Sequence, residues 1–244
     1  MRPSSKPALD LPPPFRLLTL REVGDAFAHA MRVAADEGAG LLVHVGRFDL
    51  AEFAVVLEPE EALRSARRAL YVGLAALADA LAAHAPPERP LTFDWPDAVR
   101  VDGALVGGAR LGWPQGASEN EPPDWLVFAA MIRTVAMAEG EPGLRPLSSA
   151  LDAEGFDLDS GGLVESFSRH FMNALDAWQA HGFDEPAKAY LAGLAPERGV
   201  RREIADNGDL LVRRMGAKDA ERRSLLAALR EPSWLDRQTG GPRM

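Results

Sequence analysis

A chain of 244 residues with 47% hydrophobic content can fill the core of one large domain, or of a domain with an appendage, which excludes disordered and fibrous classes. Lys and Arg number 27 against 36 Asp and Glu, a formal charge of -9, and this excludes a broad nucleic-acid surface because a phosphate backbone needs concentrated positive charge. The lack of cysteine removes disulfides, thiolate nucleophiles and cysteine-ligated metals, and with no apolar run long enough to span a bilayer it predicts a cytoplasmic protein without a membrane partner.

The opening MRPSSKPALDLPPPF carries too little apolar length before its prolines for a signal peptide and predicts a loose tail over residues 1–14. Val23, Phe27, Ala30, Met31 and Ala34 recur at helical spacing and predict a first helix between Leu20 and Glu37, ended by Gly38 and Gly40. LLVHVGRFDLAEFAVVLEP reads as two strands around a polar bend at 46–51, the second stopped by Pro59. The stripe Leu63, Ala66, Leu70, Leu74, Leu77 and Leu81 predicts a core-facing helix, opened by Glu60 and Glu61 and closed by Pro86 and Pro87. LTFDW, a turn at Pro96, AVRV, an Asp102-Gly103 turn and ALVGGARLGW then read as antiparallel strands joined by a hairpin.

Residues 115–124 have loop composition, and WLVFAAMIRTVAM predicts a buried strand. Ser148 or Ser149 predicts the cap of a helix start leading to Asp152 and Glu154. Leu163, Phe167, Phe171, Leu175 and Trp178 set a helical period over 163–180, followed by a shorter helix through Ala187 to Leu194. Asn207-Gly208 predicts a hairpin, and a charged helix is expected from Ala217 to Arg230. This order predicts an α+β fold, a mixed and largely antiparallel sheet packed with helices. The expected organisation is a tail over 1–14, a main domain over 15–196, and a small hairpin-and-helix lobe over 197–244.

Familiar reactive patterns are missing. Neither GGLVE at Gly161 nor VGGARLG around Gly107 continues into a lysine-bearing phosphate loop, so Gly107, Gly108 and Gly112 read as a close backbone approach or a bulge, serving a ligand or a twisted sheet. His29, His44, His84, His170 and His181 never fall at metal-ligand spacing, so no metal is expected, and no GxSxG is present. A turn at Pro96 can bring Asp94 towards Asp97, which would raise one of the two pKa values, although two solvated turn carboxylates are the commoner arrangement. Arg213, Arg214, Lys218, Arg222 and Arg223 read as a solvated basic face or as a contact for an acidic partner.

The run Asp94-Trp95-Pro96-Asp97-Ala98, the Asp102-Gly103 turn and the returning strand with Gly108 resemble, in that order, the signature region of the biotin-protein ligase and lipoate-protein ligase superfamily. The helix from Glu60 to His84, LSSALDAEG and NALDAWQAHGF resemble the family's flanking elements, so the resemblance covers most of Leu20 to Leu194. It implies a pocket for ATP and for biotin or lipoate, with an acyl carrier protein as acceptor. The departures concern charge. Asp94 stands where the family has a lysine, Leu105 where it has a second, and Asp97-Ala98 where it has Asn-Asp. Arg47 is the one arginine where the family has an arginine- and glycine-rich loop, and Met131, Ile132 and Arg133 replace a glycine-asparagine strand end.

The expected pocket is therefore Gly38, Gly40, Arg47, Asp94, Trp95, Pro96, Asp97, Gly107, Gly108, Arg110 and Arg133, with Arg47, Arg110 and Arg133 left to meet an anion. The favoured expectation is a divergent member that has lost ATP-dependent adenylation and binds a small carboxylic acid or a protein through the retained pocket. An active ligase or acyltransferase with a modified site is the alternative, and a protein-interaction module using the C-terminal lobe is a third reading.

Overall fold

The computed structural model describes residues 9–137 and 147–243. Its main sheet holds β1 (Arg16–Leu20), β2 (Leu41–Val45), β3 (Leu50–Leu57), β4 (Leu91–Asp94), β5 (Ala98–Val101), β6 (Ala104–Gly112) and β7 (Leu126–Arg133), in the spatial order β1-β2-β3-β7-β6-β5-β4. β1 runs parallel to β2 and every other neighbour is antiparallel. The α+β class and the largely antiparallel sheet are as the residue pattern predicts.

The last strand, β7, lies at the centre of the sheet and pairs with β3 from Leu50↔Arg133 to Leu57↔Leu126. LVFAAMI reads as an unbroken apolar run because both of its faces are covered. On one face lie α3 (Ala69–Ala82), α4 (Ser160–His181) and α5 (Asp184–Gly193). There Phe167 of α4 sits 4.6 Å from Phe53 and 5.6 Å from Phe128, and Phe171 stacks 5.0 Å from Phe167. Helix α3 approaches this cluster through Gly73, where a Cβ would lie 2.2 Å from Cε2 of Phe128.

Among the described residues the other face has a single helix. α1 (Ala26–Glu37) lays Ala26, Ala30 and Ala34 over Val43, Ala54, Val56 and Val127. Its first turn is tied twice, by Asp25 accepting from the Ala28 N–H and by the buried Glu52 accepting from the Ala26 N–H, each at 2.8 Å. The helix therefore begins at Ala26, not at Leu20. Leu20 ends β1, which the helical spacing concealed, and Val23 is exposed in the connection.

Three further expectations are corrected. Ser148 and Ser149 start no helix. Ser148 bridges to Leu105, and the Ser149 N–H donates to the Leu105 carbonyl, so the chain is held along β6 instead. The charged stretch Ala217–Arg230 is not one helix either. Asp209, 6% exposed, accepts from Arg222 Nε at 2.6 Å and from the Leu225 N–H at 2.9 Å. That anchor draws β10 (Glu221–Arg223) beside β9 (Leu210–Arg214), which pairs with β8 (Val200–Ile204), and leaves one helical turn, α6 (Leu225–Ala228). The predicted central helix is divided into α2 (Leu63–Ala66) and α3, with Arg67 between them turned inward onto Glu119 at 2.8 Å.

Of the proline-rich opening, residues 1–8 lie outside the described residues, and residues 9–11 are tied down. Leu9 and Leu11 pack on the core, and Arg169 donates to the Asp10 carboxylate at 2.8 Å.

Gly73→Ala separates packing from helix propensity. Alanine gains about 1 kcal/mol of propensity over glycine, whereas forcing a methyl against a packed ring costs about 1–3 kcal/mol. The expected outcome is a net loss of stability on the order of 1 kcal/mol in urea unfolding. A stabilised variant would show that α3 shifts freely off Phe128.

Candidate functional site

The signature run joins β4 to β5, and its side chains divide between the two faces of the sheet. The Asp102-Gly103 turn beyond β5 has positive φ at both residues, 48° and 82°, the geometry of a two-residue hairpin. The Trp95–Pro96 peptide bond is cis. Trp95 faces the helical layer, where its indole N–H donates to the Tyr71 hydroxyl at 3.0 Å and that hydroxyl donates to the Gly208 carbonyl at 2.6 Å. The Tyr190 hydroxyl donates to the Pro96 carbonyl at 3.0 Å, with its ring stacked 5.1 Å from Phe93. Burial pushes both tyrosine hydroxyls up, so they stay neutral donors. Trp95 and Pro96 are thus clamped by α3, α5 and the β8–β9 turn.

Asp94 is half exposed and pairs with Arg100 at 2.6 Å. It forms no dyad with Asp97, which is completely buried. Asp97 Oδ1 accepts from the Ser233 hydroxyl at 2.9 Å, and Oδ2 has no partner among the described residues. Burial pushes this carboxyl up to about 6, and Asp94 adds little.

Gly107 and Gly108 both mark close approaches. A Cβ at Gly107 would lie 1.9 Å from the Met131 carbonyl oxygen, so there the backbones of β6 and β7 touch. A Cβ at Gly108 would lie 2.3 Å from Cδ1 of Trp234 and 2.4 Å from its Nε1. The Trp234 indole, 1% exposed, sits on Gly108 among Leu50, Ala98, Leu105 and Met131, and its N–H donates to the Ala109 carbonyl at 3.0 Å. Leu105 is part of this apolar patch.

The three candidate arginines gather at the end of the sheet around Leu50 and Glu52, and each is engaged. Arg47 grips Asp49 with two hydrogen bonds, Nε to Oδ1 at 3.1 Å and Nη2 to Oδ2 at 2.7 Å, and the guanidinium holds Asp49 below the usual carboxylate range. Arg133 donates to the Pro242 carbonyl at 2.6 Å and to the Arg243 carbonyl at 3.3 Å. Arg110 lies 4.0 Å over the Phe27 ring of α1 and feels Asp25 and Glu52, while burial pushes its pKa down. Glu52 is pushed up by burial and sits within the field of both Arg47 and Arg110.

Of the residues expected in one pocket, the structure brings Asp97 and Gly108 together beside the segment of Ser233 and Trp234, with Arg47, Arg110 and Arg133 nearby on the same end of the sheet, while Gly107 meets the backbone of β7. It turns Asp94, Trp95 and Pro96 elsewhere. Gly38 caps α1, and Gly40 packs against the Pro14 carbonyl while its N–H donates to Val56, a different part of β3 from Glu52. Sequence reasoning missed Asp49, Glu52 and Trp234. The Arg47-x-Asp49 spacing was a readable local signal. Nothing near Trp234 points to Gly108, because the contact spans more than half the chain. Among the described residues no three His, Asp or Glu side chains group to hold a metal, and no helix is long and apolar enough to cross a membrane.

Asp97 makes stability depend on pH. Its folded pKa of about 6 lies above the ordinary 3.8, so the folded state holds the proton more tightly. The resulting stability is full below the unfolded value and is lost as pH rises through 6. Between pH 5 and 7.5 the parent should lose about 1.4 kcal/mol relative to Asp97→Asn, one unit of pH below the folded value at 1.36 kcal/mol per unit. Parallel unfolding curves for the two proteins across that range would contradict a buried, proton-holding Asp97.

Residues 11–192 match the profile of the Biotin/lipoate A/B protein ligase family. The structure is similar to that of a biotin protein ligase-like protein of unknown function from Silicibacter sp. TM1040, 27% identical, with a TM-score of 0.78 over 91% of this chain and 99% of that one. It is similar in fold to the biotin protein ligase of Aquifex aeolicus, 15% identical, with a TM-score of 0.63 over 86% of this chain and 99% of the other. The biotin protein ligase of Leishmania major in complex with biotin is 14% identical, with a TM-score of 0.54 over 87% and 99% of the two chains. None of the curated proteins matches the chain.

Proposed function

The chain belongs to the biotin/lipoate A/B protein ligase family, and from that premise we propose that it binds a small carboxylic acid, free or carried by an acyl carrier protein, without adenylating it. The Aquifex aeolicus ligase has been solved with biotin and ATP. That likeness supports an acid of the biotin or lipoate kind as the ligand, and the charge of the site argues against the nucleotide.

The observation that carries the reading is the neutralised arginine cluster. A triphosphate needs converging cations whose charge is not already spent, and in a partly buried site an opposed carboxylate cancels most of their field. Arg47 and Arg110 lie in the field of Glu22, Asp25, Asp49 and Glu52. Arg133 is bound to main-chain carbonyls of residues 242 and 243. Releasing Arg47 for a phosphate means breaking its bidentate bond to Asp49 and leaving a half-buried carboxylate beside the incoming anion. The residues present therefore do not fit a polyphosphate, and the site has no lysine at Asp94 or Leu105 to offset this.

Incubation with ATP and biotin, lipoate or octanoate should release no pyrophosphate and form no acyl-adenylate detectable by mass spectrometry. Calorimetry should show heat for at least one of these acids, with an affinity unchanged by ATP. Pyrophosphate release, or acid binding that requires ATP, would overturn the reading in favour of an active ligase with a modified site.

A further inference from the structure

The C-terminal segment 231–243 treats the floor of the sheet as a ligand would. It forms no helix and adds no strand to the main sheet. It folds on itself through the Leu235↔Pro242 bridge, the Arg243 N–H to Trp234 carbonyl bond at 2.7 Å and the Asp236 N–H to Gly241 carbonyl bond at 2.9 Å. Most of its residues are exposed, and Trp234 and Pro242 are the buried ones. Its polar hold on the main sheet is short: Trp234 on Ala109, Ser233 on Asp97, and the Pro242 and Arg243 carbonyls on Arg133.

We propose that this segment is a built-in occupant of the small-acid seat, and that a ligand enters by displacing the Trp234 indole. The inference rests on the small-acid reading above. The seat accepts a flat body, since its floor at Gly108 has no side chain and a Cβ there would collide with the indole at 2.3 Å and with the Asp97 carbonyl at 2.4 Å. Because no backbone ladder joins the segment to β6, it can lift as one loop without opening the sheet.

What the segment leaves behind defines the chemistry of the replacement. The indole gives up an apolar bed of Leu50, Ala98, Leu105 and Met131 and one carbonyl acceptor on Ala109. Ser233 gives up the Asp97 carboxyl, whose Oδ2 already has no partner among the described residues. The two main-chain carbonyls give up two contacts of the Arg133 guanidinium, which keeps its bond to the Ser149 carbonyl at 3.4 Å. The matching ligand is a monocarboxylic acid with a compact ring bearing N–H donors, the donors directed to Ala109 and Asp97 and the carboxylate to Arg133. An unbranched fatty acid satisfies the bed and Arg133 but neither acceptor.

A self-occupied seat lowers the apparent affinity by the fraction of molecules in which it stands open. Full-length protein and its Trp234→Ala variant would be titrated calorimetrically with biotin, lipoate and octanoate. The variant should bind biotin about tenfold more tightly or better, with octanoate weaker than biotin in both proteins. Ser233→Ala loosens the segment without touching the floor and should shift the affinity in the same direction by less, which guards against a Trp234→Ala variant that folds poorly. Biotin should also raise amide hydrogen exchange over 231–243 in the parent. Equal affinity in parent and variants with no change in exchange overturns the displacement and leaves the small-acid reading standing. Weaker binding by folded Trp234→Ala also overturns it, because the indole would then be part of the ligand's wall. No binding of any acid to any folded variant removes the small-acid reading and the displacement together.

Discussion

A sheet whose central strand is apolar on both sides must be covered on both sides, and in this protein the two covers are unequal. One face of β7 receives α3, α4 and α5 with a four-phenylalanine cluster. Among the described residues the other receives one helix, α1, whose small residues reach β2, β3 and β7 but leave the β5–β6 end open. The open end is where Gly107 and Gly108 lie, and it is closed by one tryptophan from the C-terminal segment. The location of the hollow thus derives from a shortage of cover, and its shape from Gly108, which has no side chain beneath the indole.

The same division explains why the signature run fails to act as a unit. Successive residues of a strand point to opposite faces, so a short run that leaves one strand and enters the next serves both layers. Trp95 and Pro96 are taken up by Tyr71 and Tyr190 in the helical layer, where they fix the hairpin and hold the β8–β9 turn against the main domain. Asp97 and Gly108 serve the thinly covered face. A mutation at Trp95 therefore acts first on packing, and one at Asp97 acts first on the seat.

Much of the architecture was legible along the chain because it is written in local signals. The Asp102-Gly103 and Asn207-Gly208 turns, the apolar run of β7 and the stripe of α3 all specify their elements within a few residues. β1 was concealed because RLLTL is only five residues long and runs straight into a stretch whose apolar spacing also suits a helix. The stretch 217–230 has helical composition, yet Asp209, a residue outside it, binds its Arg222 side chain and Leu225 N–H and sets a strand there. In the site, Gly107, Gly108, Asp97 and the arginines were visible as residue types, whereas their partners were not. Whether an arginine is a ligand group or half of a fixed pair depends on which carboxylate the fold sets beside it, and Glu52 and Trp234 reach their positions only through tertiary packing.

The pairing of Arg47 with Asp49 bears on how such a site changes over time. Their two hydrogen bonds lie in the short connection between β2 and β3, a segment that tolerates substitution because the ladder bonds on either side carry the fold. A carboxylate two residues from an arginine occupies its guanidinium without moving a strand. On the same reading, leucine at 105 and aspartate at 94 in place of the lysines that the family resemblance implies remove attraction for an acid just as locally. Each change leaves the apolar bed on β6 and β7 intact, since Gly108, Ala98 and Met131 are fixed by sheet packing and not by charge. On the reading proposed above, nucleotide chemistry is lost from this scaffold one side chain at a time, while the hollow over Gly108 persists and is filled here by Trp234.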